Sequence, residues 1–206
     1  AWCRVDIVGK AAHGSMPHQG VDAIAHALLI LRALDVLADE LGATIPHPLL
    51  GQGTVRVSTI NGGVDAATVA PSATLTIERR FLPGESPEAV EHQLRRALTG
   101  LLPNTADGGA HATLTCLVAR GAFEADPNWP IVELVSRHAQ SVLGRPLTRR
   151  GEPFWTDAGL IAAAGIPCVL IGAQGGGAHA DDEWVSIESI ERLTQILTAV
   201  TAEFCA

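Results

Sequence analysis

Residues 1–118 are predicted to form an α+β domain, a βαββαβ antiparallel sheet with two helices on one face, followed by a shorter αβαβα-like segment over 119–206. Three observations carry this. Four stretches of the first part read as strands, two of them with clear apolar–polar alternation. Two runs between them repeat apolar residues at helical spacing. The character then changes near Ala119, where Pro127 and Pro130 punctuate a loop.

Trp2 to Val8 alternates and reads as the first strand, and a loop rich in Gly, His and Pro follows over Gly9–Gly20. Val21 to Leu41 reads as a long helix, with Ile24, Leu28, Leu31, Leu34, Leu37 and Leu41 on one stripe and Leu29, Ile30 and Val36 widening it. An arc that wide buries more than one face: in a deep core, or with one face on a sheet and another on a second subunit. Gly42 and Pro46 end the helix. Thr54–Ile60 and Ala73–Leu82 are the next strands. Ser86-Pro87-Glu88 has the hydroxyl cap, early proline and acidic first turn of a helix start. Val90, Leu94, Ala97, Leu98 and Leu101 line that helix, and Ala112–Val118 closes the ferredoxin-like order. Beyond it, Ile131–Leu143 is helical, Asp157–Ala164 is a short helix capped by Thr156, Pro167–Ile171 is a short apolar strand buried on both faces, and Ile187–Phe204 is the last helix.

The chain has 206 residues, 47% of them apolar and 17% charged, enough for a packed core and against wholesale disorder. Its net charge of −8, without a basic stripe, excludes nucleic acid and anionic membranes as obvious partners. No apolar run approaches the roughly 20 residues of a membrane span. Cys3, Cys116, Cys168 and Cys205 are scattered and form no CxxC pair, so they read as apolar fillers of a protein in a reducing, cytoplasmic setting. The chain opens at Ala1 inside a strand, which suggests that something upstream has been removed.

Three stretches could carry chemistry. Gly175-Gly176-Gly177-Ala178-His179-Ala180-Asp181-Asp182-Glu183 follows the expected apolar strand, where open α/β sheets place ligands. Imidazole is a common metal ligand that carboxylates can orient, although one histidine in a solvated loop does not make a site. Gly9 to His18 holds His13 and His18. The pair lacks a third ligand nearby, but a histidine can donate to a substrate oxygen, and a plain surface loop explains the stretch equally. Glu78-Arg79-Arg80 ends a strand, so only one of the two arginines faces a given cleft, either as a carboxylate fork or as a solvated edge charge. His138 lies on the apolar stripe of its helix and reads as a packed core or interface histidine.

Together these stretches resemble the metallopeptidase family of acetylornithine deacetylase, succinyl-diaminopimelate desuccinylase, aminoacylase and glutamate carboxypeptidase. Gly9 to Ile24 looks like the opening of that family's lid domain. Ser58 to Gly63 and Leu75 to Glu85 look like its middle strands. Phe154 to Gly159 and Gly175 to Glu183 look like its C-terminal catalytic segment. The resemblance implies a lid or dimerisation domain over 1–118 and the C-terminal part of an α/β zinc-peptidase-like catalytic domain over 119–206, whose N-terminal half is absent. It implies that His13 stabilises an oxyanion in the partner's site, that Arg80 holds a substrate carboxylate, that the Gly175, Gly176 and Gly177 backbone lines the cleft, and that His179 is a metal ligand.

The intact enzyme would use two divalent metal ions, zinc or cobalt, to cleave the amide of an N-acyl amino acid or small peptide bearing a free carboxylate. The family's other ligands and its general base precede the lid domain, so this chain alone is expected to be inactive and to bind no metal tightly. A homodimer through the Val21–Leu41 helix is expected. Thr68 stands where the family often has asparagine, and its turn is one residue shorter. The alternative is a non-catalytic dimerisation or interaction module derived from the same family.

Overall fold

The computed structural model describes residues 1–102 and 109–206. Ala1–Ala122 and Phe123–Ala206 form separate units.

The first unit runs β1 (Trp2–Val8), α1 (Ala23–Gly42), β2 (Thr54–Gly62), β3 (Ser72–Arg80), α2 (Pro87–Ala97), β4 (His111–Val118). The strands lie in the order β2-β3-β1-β4 and every pairing is antiparallel, so the expected βαββαβ sheet forms. Val5 stands opposite Leu75 on one side and Leu114 on the other. With a side-chain period of two, that register puts Cys3, Val5 and Ile7 on one face with Ala73, Leu75, Ile77, Ala112 and Leu114. All are buried against one cluster of α1 and α2 residues, so both helices cover the same face. Each fully buried Leu or Ile here stabilises the unit by about 1.5–3 kcal/mol.

Helix α1 starts where Asp22 accepts the amide protons of Ile24 and Ala25. Its buried stripe is Ala23, Ala27, Ile30, Leu34, Leu37 and Leu41. The expected stripe agrees in the second half of the helix and is one residue out in the first. Small alanines let the first two turns sit close to the sheet, leaving Ile24 47% and Leu28 48% exposed. Helix α2 begins as expected, with Ser86 accepting from the Ala89 amide and Pro87 in the first turn.

The reading of all four cysteines as apolar fillers is corrected. Cys3 and Cys116 face each other across β1 and β4 and are disulfide-bonded, while Cys168 and Cys205 are free. The partners are 113 residues apart, and only strand register brings them together. With this pair bonded, the ground for a reducing compartment is gone. Closing so long a loop restricts the unfolded chain, so reduction, or the double substitution Cys3→Ser and Cys116→Ser, should lower stability by about 2–4 kcal/mol. Denaturant unfolding with and without reductant measures this; coincident curves would mean that the bond contributes nothing.

The second unit holds α3 (Pro130–Leu143), α4 (Ala158–Ala163), the two-residue strands β5 (Gly175–Gly176) and β6 (Trp184–Val185), and α5 (Ile187–Phe204). Helices α3 and α5 pack through Val135, Ala139, Ile196 and Val200. Helix α4 is capped by Asp157 without a side-chain bond; the Thr156 hydroxyl accepts the Ala158 amide proton at 3.3 Å. His138 is not simply packed: its Nε2 lies 2.9 Å from Glu203 on α5, a carboxylate that Arg137 also grips. Pro167–Ile171 is not a strand. It has no ladder partner among the described residues, and Val169 and Ile171 instead pack against the helix pair while Leu170 stays 43% exposed. Among the described residues, no helix is long and apolar enough to cross a membrane.

Candidate functional site

The His13 loop is held from both sides. Lys10 bridges to Val21, and His13 bridges to Thr68. The Gly14 amide donates to the Ala67 carbonyl at 2.6 Å and the Val69 amide to the Ala12 carbonyl at 2.9 Å. A Cβ on Gly14 would stand 2.8 Å from the Ala67 oxygen, so this approach requires glycine. Asp65 shapes the facing turn, accepting from the Ala67 amide at 2.8 Å and the Thr68 hydroxyl at 3.1 Å. Thr68 therefore sits beside His13 with its hydroxyl engaged. The imidazole is exposed, and its Nδ1 lies 2.8 Å from the Ser15 hydroxyl and 3.2 Å from the Ser15 amide.

Arg79 and Arg80 take opposite faces of β3, as strand geometry demands. Arg79 points to the helix side and is fully buried. It donates to Glu85 at 2.8 Å and Gln93 at 3.1 Å, and also to the Arg80 carbonyl. Burial pulls its pKa below the usual arginine value, against the pull of Glu85. Arg80 lies on the open face and donates to Glu78 at 2.7 Å. Glu78, 6% exposed, also accepts from Trp2 at 3.0 Å and Arg56 at 2.8 Å. Burial pushes the Glu78 carboxyl up, but the hydrogen bonds from Trp2, Arg56 and Arg80 outweigh it and hold it at about 2.

The depressed pKa of Glu78 sets a pH window. Its contribution is fully present above the unfolded value of 4.5 and is lost as pH falls through about 2. Both arginines are partly in solvent, so the contribution is about 2 kcal/mol rather than the full shift. Glu78→Gln should flatten the acid side of the stability–pH curve over that window, and an unchanged curve would deny the cluster its role. Neither Trp2 nor Arg56 is legible as part of this site from spacing, since each depends on the strand register that sets Trp2 and Arg56 opposite Glu78.

His13 and Arg80 are not brought together within one chain. His13 follows the Val8 end of β1, where Ser72 pairs, whereas Arg80 lies beyond Glu78, which pairs with Trp2 at the other end. The length of β1 separates them, about 20 Å.

In the second unit, Gly175 and Gly176 pair with Val185 and Trp184, and His179 lies in the loop joining the two strands. A Cβ on Gly175 would stand 2.7 Å from the Trp184 carbonyl oxygen, so the hairpin itself requires that glycine, while one on Gly176 would press on the Trp184 ring at 3.0 Å. His179 is exposed and has φ +65°, the one non-glycine residue with positive φ among those described. Histidine tolerates that region better than most side chains, and the strain is what a locally determined site tends to hold. Among the described residues, no group of three His, Cys, Asp or Glu side chains could hold a metal ion.

Residues 1–106 match the family described as a peptidase dimerisation domain. The chain is 27% identical to acetylornithine deacetylase of Myxococcus xanthus, over 98% of this chain and 52% of that protein. It is 28% identical to succinyl-diaminopimelate desuccinylase of Rhodospirillum rubrum, over 97% of this chain and 49% of that protein. Its fold matches the crystal structure of a tripeptidase from Staphylococcus aureus with a TM-score of 0.75 and 22% identity, covering 97% of this chain and 50% of that one. The chain spans about half the length of the curated relatives it matches.

Proposed function

We propose that this chain, which belongs to the M20 family through its peptidase dimerisation domain, supplies that domain and a C-terminal catalytic segment to a metal-dependent amidohydrolase. The intact enzyme cleaves the amide of an N-acyl amino acid or small peptide that carries a free carboxylate. The observation that carries this reading is that a matched dimerisation domain coincides with relatives, deacylases by name, that align along nearly the whole chain.

Each residue then has a task. Arg80 receives the substrate carboxylate, turning part of its fork from Glu78. His13 donates from Nε2 to the oxygen that gains charge as the amide carbon becomes tetrahedral. The Gly175, Gly176 and Gly177 backbone lines the cleft, and His179 contributes one metal ligand. The bound divalent ions, zinc or cobalt, supply Lewis acidity. Because about 20 Å of sheet separates His13 from Arg80, the reading assigns His13 to the site of a second copy.

A homodimer belongs to the same reading, and the surface beside β2 supports it. Strand β2 is an edge of the sheet with α1 over it. Ile24 lies over Gly62 and Gly63, while Leu28 and Ile60 are about half exposed. An unpaired edge flanked by an apolar strip suits a self-complementary contact. Leu28→Glu should shift the protein from dimer to monomer in sedimentation while leaving its circular dichroism unchanged. A protein that is monomeric without the substitution would remove this part of the proposal.

The enzyme reading is tested by purifying the intact protein, measuring its metal content, and assaying release of free amine from N-acetyl and N-succinyl amino acids. Metal-dependent release is expected. A protein with tightly bound metal that cleaves none of these would instead be a binding module.

A further inference from the structure

We propose that Ser15 is a positioning residue that fixes the tautomer and direction of the His13 imidazole, so that its single N–H is carried on Nε2 and offered outward. The inference rests on the proposed role of His13 and adds the means by which the ring is prepared for it.

The turn sets the geometry. The Met16 amide donates to the His13 carbonyl at 2.8 Å, closing a tight turn over His13-Gly14-Ser15-Met16. The Gly14 amide is tied to Ala67, which anchors the turn to the facing turn. Ser15 is thereby folded back under the ring. Its backbone N–H points at Nδ1 at 3.2 Å, and its hydroxyl lies 2.8 Å from the same atom.

The chemistry then leaves one assignment. A backbone N–H can only donate, so Nδ1 must present a lone pair. A neutral imidazole with an unprotonated Nδ1 carries its proton on Nε2. The hydroxyl, which can either donate or accept, must also donate, because Nδ1 has no proton to give it. Two donors therefore share the Nδ1 lone pair, and both oppose the other tautomer. They also fix the ring's rotation about its own bond to Cβ. Nε2 has no hydrogen-bonding partner among the described residues, so its N–H is free for an external acceptor. That is the form an oxyanion donor needs, with its orientation set before substrate arrives. His18, in the same loop and also exposed, has no such partner among the described residues and serves as an internal reference.

The test is long-range proton–nitrogen correlation NMR on this chain with 15N-labelled histidine, above the imidazole titration, with His13 assigned from its loss in His13→Gln. His13 should show a more complete Nε2–H pattern than His18. Ser15→Ala, which keeps the backbone donor and loses the hydroxyl, should move His13 toward the His18 pattern, and Ser15→Thr should restore it. His13 and His18 indistinguishable in the unsubstituted chain, or a His13 pattern unchanged by Ser15→Ala, would overturn the proposal. In the intact enzyme, Ser15→Ala should lower kcat roughly threefold to tenfold with KM within about twofold. If the NMR result holds but His13→Ala leaves the rate unchanged, the tautomer lock stands and the catalytic role of His13 fails; the two failures are thus distinguishable.

Discussion

Replacing Glu85 with alanine is expected to destabilise the first unit by about 3–5 kcal/mol, a large share of the stability of a domain this size. The Arg79 guanidinium is fully buried. A charge there is tolerable only while its donors are met. Glu85 supplies the opposite charge at 2.8 Å and uses its other oxygen to accept the Leu82 amide proton at 2.6 Å. Removing it strands the arginine with only the neutral acceptors Gln93 and the Arg80 carbonyl. The cost arises from the unpaired charge, not from the pair's net worth. Glu85→Ala combined with Arg79→Met should therefore be less destabilised than Glu85→Ala alone. Urea unfolding of the three variants measures this. A loss below about 1 kcal/mol for Glu85→Ala would show that Arg79 reaches solvent when unpaired.

His13→Ala is expected to lower kcat of the intact enzyme by about 10²–10³, the scale of losing one preorganised donor to a developing oxyanion. KM should change little, because the substrate carbonyl in its ground state carries less charge than the tetrahedral species. The loop is pinned by backbone bonds from Gly14 and Val69 that involve no imidazole atom, so the substitution should leave folding intact. A rise in KM with unchanged kcat would instead assign His13 to substrate binding.

The first unit was legible because its apolar periods agree with its elements everywhere except the first half of α1. Alternation in Trp2–Val8 and in Ser72–Arg80 says which residues face the helices, and the capping residues Asp22 and Ser86 mark where the helices begin. What the sequence could not show is what depends on register. The Cys3–Cys116 bond and the Trp2–Glu78–Arg56–Arg80 cluster arise only when four distant strands align, and no local spacing encodes that alignment. The first half of α1 misled for a related reason. Leu and Ile outrank alanine on hydrophobicity, but close packing on the sheet favours the small residues Ala23 and Ala27.

The second unit was less legible. Pro167–Ile171 has the composition of a buried strand, yet a strand exists only by its partners, and among the described residues it has none. The glycines of Gly175–Gly177 suggest a ligand from sequence, and the hairpin explains Gly175 through the Trp184 carbonyl and Gly177 through its positive φ. His179 stood out in the sequence for its chemistry and stands out in the structure for its positive φ. The separation of His13 from Arg80 depends on the antiparallel register of β1 and β3 and so belongs with the features that only the structure shows.

The most direct test of the account is subunit complementation in the intact enzyme. On the proposed function, His13→Ala would remove the donor sent to the partner's site, and His179→Ala would remove a ligand from the protomer's own site. Each variant alone should be nearly inactive. Unfolded together and refolded as a mixture, they should form hybrid dimers with one complete site each, recovering about a quarter of the unsubstituted rate if pairing is random. No recovery, with hybrid dimers shown to be present, would contradict the account, because His13 would then serve the site of its own chain or none.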